Sequence, residues 1–67
     1  MCIDNRGCEA SLFVGKVYQV VRPEPHDGPG DLRVIDEEGE DYLYAARQFV
    51  PVALPTAAKR AVLNSAA

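Results

Sequence analysis

The chain has 67 residues, of which 48% are hydrophobic, and ten acidic against seven basic side chains give it a formal net charge of −3. A chain of this length supports one core that hides only about 60% of the unfolded surface, which argues against a second domain and against a deep pocket for a large substrate. The acidic balance argues against nucleic acid as a partner, because binding to phosphates depends on an excess of cationic side chains.

The N-terminal residues and the cysteines indicate the cellular compartment of the protein. Asp4 and Glu9 stand where a signal peptide has a positive and then an apolar segment. No apolar run reaches the ~20 residues that span a bilayer. Cys2 and Cys8 are too few for the disulfide framework of small secreted domains, so reduced thiols are expected. These features predict a cytoplasmic protein with no membrane partner.

Two β segments are predicted in the N-terminal third of the chain. Residues 2–4 suggest a short strand, and the Asn and Gly of residues 5–7 favour a turn after it. Residues 16–21 are rich in β-branched and aromatic side chains and follow Gly15, which is typical of a strand that leaves a turn. Residues 23–30 contain three prolines and two glycines, so this segment is predicted to be an exposed loop.

The clearest prediction is a β-hairpin over residues 32–44. Two β-rich runs flank a short acidic segment, and Gly39 suits the left-handed position of a type I turn followed by a bulge. The resulting register pairs Asp36 with Glu40, Val34 with Tyr42, and Leu32 with Tyr44. The predicted core consists of six side chains: Val20, Leu32, Val34, Tyr42, Tyr44 and Phe49.

The segment after the hairpin is predicted to return to the sheet. Residues 45–49 suit a single helical turn, because they are too few for a stable helix. Residues 50–54 resume a β pattern, and Pro51 places this last strand at an edge of the sheet, since proline has no N–H to donate.

A short helix is predicted at the C-terminal end, with Thr56 as its N-cap and residues 57–64 as its body. Its weak apolar stripe consists of Ala58, Ala61, Val62 and Ser65. Docking of this stripe on the Ile35 and Leu43 face of the hairpin is one expectation, and fraying in solution is the other. The predicted organisation is one domain over residues 1–55 and a helical or frayed tail over residues 56–67.

The order of these elements resembles that of SH3-like barrels. The predicted fold is therefore mainly β, an SH3-like small barrel of about five short antiparallel strands with a short C-terminal helix. The segments RVIDEEGEDYLY at residues 33–44 and FVPV at residues 49–52 also resemble a family of small, uncharacterised bacterial proteins. That resemblance implies a bacterial origin and the same fold, and it implies no catalytic residue. Ala45 stands where the family is expected to have a proline.

No catalytic, cofactor or metal site is predicted. Cys2, Asp4, Cys8 and His26 are zinc-ligand types, but their spacing lacks the two close pairs of a structural zinc site. A Cys and His pair could act as nucleophile and base, yet the sequence offers neither an orienting group nor an oxyanion donor.

The charged residues are interpreted as solvated. The acidic run is predicted to be an exposed turn that lacks the ligand spacing of a calcium loop, and it comprises Asp36, Glu37, Glu38, Glu40 and Asp41. The basic residues are predicted to be scattered, although a cluster on one face would favour RNA, and they include Arg6, Lys16, Arg22, Arg33 and Arg47.

The function expected from these observations is a non-enzymatic interaction module that binds a protein partner, as a monomer or weak dimer. The alternative is an RNA-binding small barrel, and a small hydrolase or redox protein that uses Cys8 is a remote third class. Recognition of proline-rich peptides is not expected, because the chain has no Trp.

Overall fold

The structure is a computed structural model that describes residues 1–65, and its regular elements are few. They are strand β1 (Asp31–Ile35), strand β2 (Asp41–Ala45), a 3₁₀ turn (Ala46–Gln48) and helix α1 (Thr56–Ser65). The two strands form one antiparallel sheet. The predicted five-stranded, SH3-like barrel is therefore wrong.

The predicted second strand is reduced to one isolated bridge, between Val20 and Val34. The amide of Val21 donates to the carbonyl of Arg33 at 2.8 Å, but the next residue of that segment whose amide would face β1 is residue 23, which is proline and has no N–H. On the other side of the bridge, the amide of Glu37 donates to the carbonyl of Ser11 at 3.0 Å. The ladder therefore ends in both directions.

The predicted first strand is reduced to a single bridge, between Cys2 and Phe49, the residue before the predicted last strand. The amide of Ile3 donates to the carbonyl of Gln48 at 2.8 Å, where the chain is still in the 3₁₀ turn. These segments are therefore held to each other by individual hydrogen bonds and to the hairpin by packing, without becoming strands.

The hairpin register is confirmed. Leu32 pairs with Tyr44 and Val34 with Tyr42. The amide of Gly39 donates to the carbonyl of Asp36 at 3.0 Å, and Gly39 has a φ of +78°, the left-handed conformation that the turn prediction requires.

The buried core differs from the predicted one. It consists of Cys2, Leu12, Val34 and Tyr44, with Leu32 and Phe49 half-buried beside it. Val20 and Tyr42 were expected inside, but they are 51% and 64% exposed. Val20, Val34 and Tyr42 form a row across three paired backbone segments, so the central side chain is covered on both sides and the outer two are not.

Helix α1 begins one residue earlier than predicted. The carbonyl of Pro55 accepts the amide of Lys59 at 2.9 Å, so the cap position belongs to Pro55 and the expected N-cap, Thr56, is the first helical residue. Ala58 and Val62 are half-buried, whereas Ala61 is exposed. The helix makes few contacts with the hairpin. Residues 66–67 of the predicted tail lie outside the described residues.

Substitution of Gly39 tests the turn. Gly39→Ala is expected to lower the free energy of unfolding by about 1 kcal/mol, because an L side chain disfavours the left-handed conformation. Gly30→Ala is the control, since a Cβ at Gly30 meets no atom within 4 Å and its φ lies outside the left-handed region. Chemical denaturation measures both variants, and equal losses would contradict the assigned role of Gly39.

Candidate functional site

An open groove of about 520 Å³ lies between the segment that contains Val20 and the segment that follows the 3₁₀ turn. We call it the apolar groove, and its principal lining residues are Tyr18, Val20, Leu32, Phe49, Val50 and Val52. It exists because the second and last predicted strands do not pair with each other.

Packed aromatic rings form one wall of the apolar groove. The rings of Tyr18 and Phe49 pack edge to face with 6.5 Å between their centroids. Phe49 also packs against the buried ring of Tyr44, with 6.2 Å between the two ring centroids. The rim of the groove is solvent-exposed, since Val20 and Val52 are 51% and 42% exposed. The groove therefore combines an anchored aromatic wall with uncovered aliphatic side chains.

The backbone beside the apolar groove has free hydrogen-bonding groups. Within the described chain, residues 51–54 make no hydrogen bond. Val20 likewise has no backbone bond of its own, because its neighbours Gln19 and Val21 make the bonds to β1. An extended segment placed in the groove would find donors and acceptors on both sides.

The acidic turn is only partly solvated, which corrects the prediction. Asp36 is 7% exposed, and its carboxylate accepts a hydrogen bond from the hydroxyl of Tyr44 at 2.6 Å and another from the amide of Glu38 at 2.9 Å. Burial and the bond to Asp36 raise the pKa of Tyr44 to about 12. Asp36 therefore stabilises the hairpin from inside.

Glu37 also departs from the predicted solvated turn. Its carboxylate forms an ion pair with Lys16 and accepts a hydrogen bond from the hydroxyl of Tyr18, and these contacts lower the pKa of Glu37. Burial, followed by the bond to Glu37, raises the pKa of Tyr18. This cluster ties the turn to the segment that enters the apolar groove.

Glu38 and Glu40 border a second, smaller depression of about 360 Å³. We call it the acidic pocket, and its lining includes Ser11, Asp36, Glu38, Glu40, Tyr42 and Tyr44. One oxygen of Glu38 accepts the hydroxyl of Ser11 at 3.3 Å, and Glu40 is exposed. The rings of Tyr42 and Tyr44 lie 5.9 Å apart on one side of this pocket.

Two of the arginines are engaged by carboxylates and do not form a free basic face. Arg33 donates two hydrogen bonds to Asp27, at 2.9 and 2.7 Å, and a third to Asp41 at 3.1 Å. The bonds from Arg33 lower the pKa of Asp27 to about 2. Arg6 forms an ion pair with Asp4 at 2.7 Å. Arg33 therefore fixes the proline-rich loop to the hairpin.

The candidate metal and nucleophile residues have other partners, since the thiol of Cys2 donates to the carbonyl of Asp4 at 3.6 Å and the Asp4 carboxylate pairs with Arg6. Cys2 and Cys8 are free thiols, buried and half-buried respectively, and His26 is exposed beside Glu24 at 3.8 Å. Within residues 1–65, no three His, Cys, Asp or Glu side chains are arranged to hold a metal ion.

Sequence reasoning missed Gln48, which is 8% exposed. Its side-chain oxygen accepts the amide of Ala45 at 3.1 Å, and its nitrogen donates to the carbonyl of Asp4 at 3.1 Å. A lone glutamine in a short polar stretch gives no signal for this role, because the second bond depends on a segment 44 residues away.

The fold and the groove define a small protein built around one hairpin, with an uncovered apolar surface beside free backbone groups. No protein-family model, curated protein or solved structure matches the chain. In the part of the chain that the structure describes, no helix has the length and apolar character needed to cross a membrane.

Proposed function

We propose that this chain is a non-enzymatic interaction module that binds a protein partner through the apolar groove. The observation that carries this proposal is the exposure of Val20, Val50 and Val52 around an aromatic wall formed by Tyr18 and Phe49. Covering these side chains removes apolar surface from water, which is the main favourable contribution to most protein association.

The partner is proposed to present an extended segment. Residues 51–54 and Val20 have unpaired backbone groups on the two sides of the groove. A strand-like peptide satisfies such groups through its main chain while alternate side chains enter the groove. The free thiols of Cys2 and Cys8 are compatible with the further proposal that binding takes place in a bacterial cytoplasm.

Val52→Asp is the variant that tests the groove. Random peptides displayed on phage are selected against the immobilised full chain, and the best binders are followed by backbone amide shifts. Val52→Asp is expected to weaken their binding by about tenfold or more, because it places a charge in the apolar contact. Selection of no peptide that distinguishes Val52→Asp from the parent would contradict the proposal.

Ala53→Asp is the matched control. Ala53 is exposed in the same segment but does not line the apolar groove, so the same charge there should leave peptide binding unchanged. Mixed single-stranded RNA is titrated in parallel at low and near-physiological salt. Saturable shifts around Arg22 or Arg47 that vanish with added salt would overturn the proposal in favour of the RNA-binding alternative.

A further inference from the structure

Charge is distributed unevenly between α1 and the rest of the chain. Helix α1 carries Lys59 and Arg60 and no acidic residue, which gives it a charge of +2. Since the whole chain has a net charge of −3, residues 1–55 carry −5, from ten acidic and five basic side chains. A basic helix is therefore attached to an acidic body.

Most of helix α1 has no tertiary cover. Ala58 and Val62 are its half-buried residues, and the exposed side carries Lys59, Arg60 and Leu63 at helical spacing. Leu63 is 42% exposed. A helix of ten residues is marginal in water unless tertiary packing stabilises it. Contact of this exposed side with another surface would therefore bury Leu63, pair the two cationic side chains and stabilise the helix.

The acidic pocket has the complementary chemistry. Glu38 and Glu40 form no ion pair within the described residues, and no cationic side chain lines the pocket. Tyr42 beside them is 64% exposed. Carboxylates next to an open aromatic ring favour a cationic side chain accompanied by an apolar one.

We propose that the exposed side of α1 docks on the acidic pocket of a second copy of this chain. Lys59 and Arg60 meet the carboxylates of Glu38 and Glu40, and the neighbouring Leu63 lies toward the open tyrosine ring. The body charge of −5 attracts the helix of another copy but repels nucleic acid, so a second copy is favoured over RNA as the occupant. The association is weak and is screened by salt.

Two charge reversals test this docking in sedimentation equilibrium of the full chain. Lys59→Glu with Arg60→Glu reverses the charge of helix α1, and Glu38→Lys with Glu40→Lys reverses the charge of the acidic pocket. The parent is expected to self-associate at low salt, and each reversed variant should lose about tenfold or more in association constant. An equimolar mixture of the two reversed variants should associate, because each helix then faces a pocket of opposite charge.

The control mixture has the same net charges with the substitutions placed elsewhere. It combines Arg22→Glu with Arg47→Glu in one chain and Glu9→Lys with Glu24→Lys in the other, all at exposed positions. This mixture should not associate more than the parent does. Both docking surfaces are intact in the control chains, so mixing these chains should bring no gain over either chain alone, whereas mixing the two reversed variants should. Equal gains on mixing in the control and test mixtures would show bulk attraction only and would overturn the proposal, as would a parent that stays monomeric at millimolar concentration and low salt.

Two further variants keep the test decisive. Far-UV circular dichroism checks the fold of each reversed chain, and if the pocket reversal does not fold, Glu40→Gln replaces it, since Glu40 is exposed and forms no ion pair in the described chain. Glu40→Gln should still weaken self-association, and unchanged association would contradict the docking. The groove variant Val52→Asp should self-associate as the parent does, which separates this surface from the proposed peptide groove.

Discussion

Leu12→Ala is expected to lower the free energy of unfolding by about 2–5 kcal/mol, the largest loss of any single substitution proposed for this chain. Leu12 is fully buried in the core with Cys2, Val34 and Tyr44. Its truncation removes apolar contacts and leaves a cavity that the surroundings fill only in part. Because a domain of this length is stable by only a few kcal/mol, the variant should be largely unfolded at modest temperature.

The backbone around Leu12 explains why little relaxation is expected. Its amide donates to the carbonyl of Cys8 at 3.0 Å, and its own carbonyl accepts the side-chain amide of Asn5 at 2.9 Å. These bonds hold the segment in place, so it does not collapse readily into the space that the side chain leaves. Thermal and urea denaturation followed by circular dichroism measure the loss.

Val14→Ala is the control for the Leu12 substitution. Val14 lies two residues from Leu12, but its side chain is 58% exposed. Removing aliphatic carbon there should change the free energy of unfolding by no more than about 0.5 kcal/mol. Comparable losses for Leu12→Ala and Val14→Ala would contradict the placement of Leu12 at the centre of the core.

The hairpin could be predicted from the sequence because its signals are local. Alternating apolar residues set the faces of the strands, and Gly39 marks the turn, so the pairing of Val34 with Tyr42 follows from spacing alone. Leu12 could not be predicted as a core residue, because it stands in an irregular segment whose burial depends on distant parts of the chain.

The barrel prediction failed because it treated each β-rich run as able to extend a ladder. Residues 16–21 have the composition of a strand, but Pro23 ends the ladder on one side and the bond from Glu37 to Ser11 diverts it on the other. Because the ladder ends early, the apolar groove stays open beside this segment. A prediction that assumed a closed barrel could not include such a groove.

The acidic run illustrates the same difficulty for charged residues. Five carboxylates close together suggest a solvated turn, and Glu40 fits that expectation, but Asp36 is buried. A carboxylate tolerates burial when hydrogen bonds stabilise its charge, and here the hydroxyl of Tyr44 supplies one of them. The sequence contains both residues eight positions apart, but only the folded hairpin brings their side chains together.

Tyr44→Phe is expected to lower the free energy of unfolding by about 1–3 kcal/mol near neutral pH. The substitution keeps the ring and its contact with Phe49 but removes the hydroxyl that donates to Asp36 at 2.6 Å. Asp36 then retains the amide of Glu38 as a donor, and its carboxylate is buried with one fewer partner. Urea denaturation measures the difference.

Tyr42→Phe is the matched control for this substitution. Tyr42 occupies the same strand, its ring is 64% exposed, and its hydroxyl has no hydrogen-bond partner in the described structure. Removing that hydroxyl should change the free energy of unfolding by less than about 0.5 kcal/mol. Equal losses for Tyr42→Phe and Tyr44→Phe would contradict the stabilising role of the bond to Asp36.

The pH dependence of stability gives Tyr44→Phe a second readout. The folded protein raises the pKa of Tyr44 from 10.0 to about 12, so folding favours the protonated hydroxyl. The stabilisation is fully present below pH 10 and is lost as the pH rises from 10 to about 12, because the unfolded chain releases this proton first. Tyr44→Phe should lose stability less steeply than the parent across that interval. Parallel curves for Tyr44→Phe and the parent would mean that the Tyr44 proton is not linked to folding.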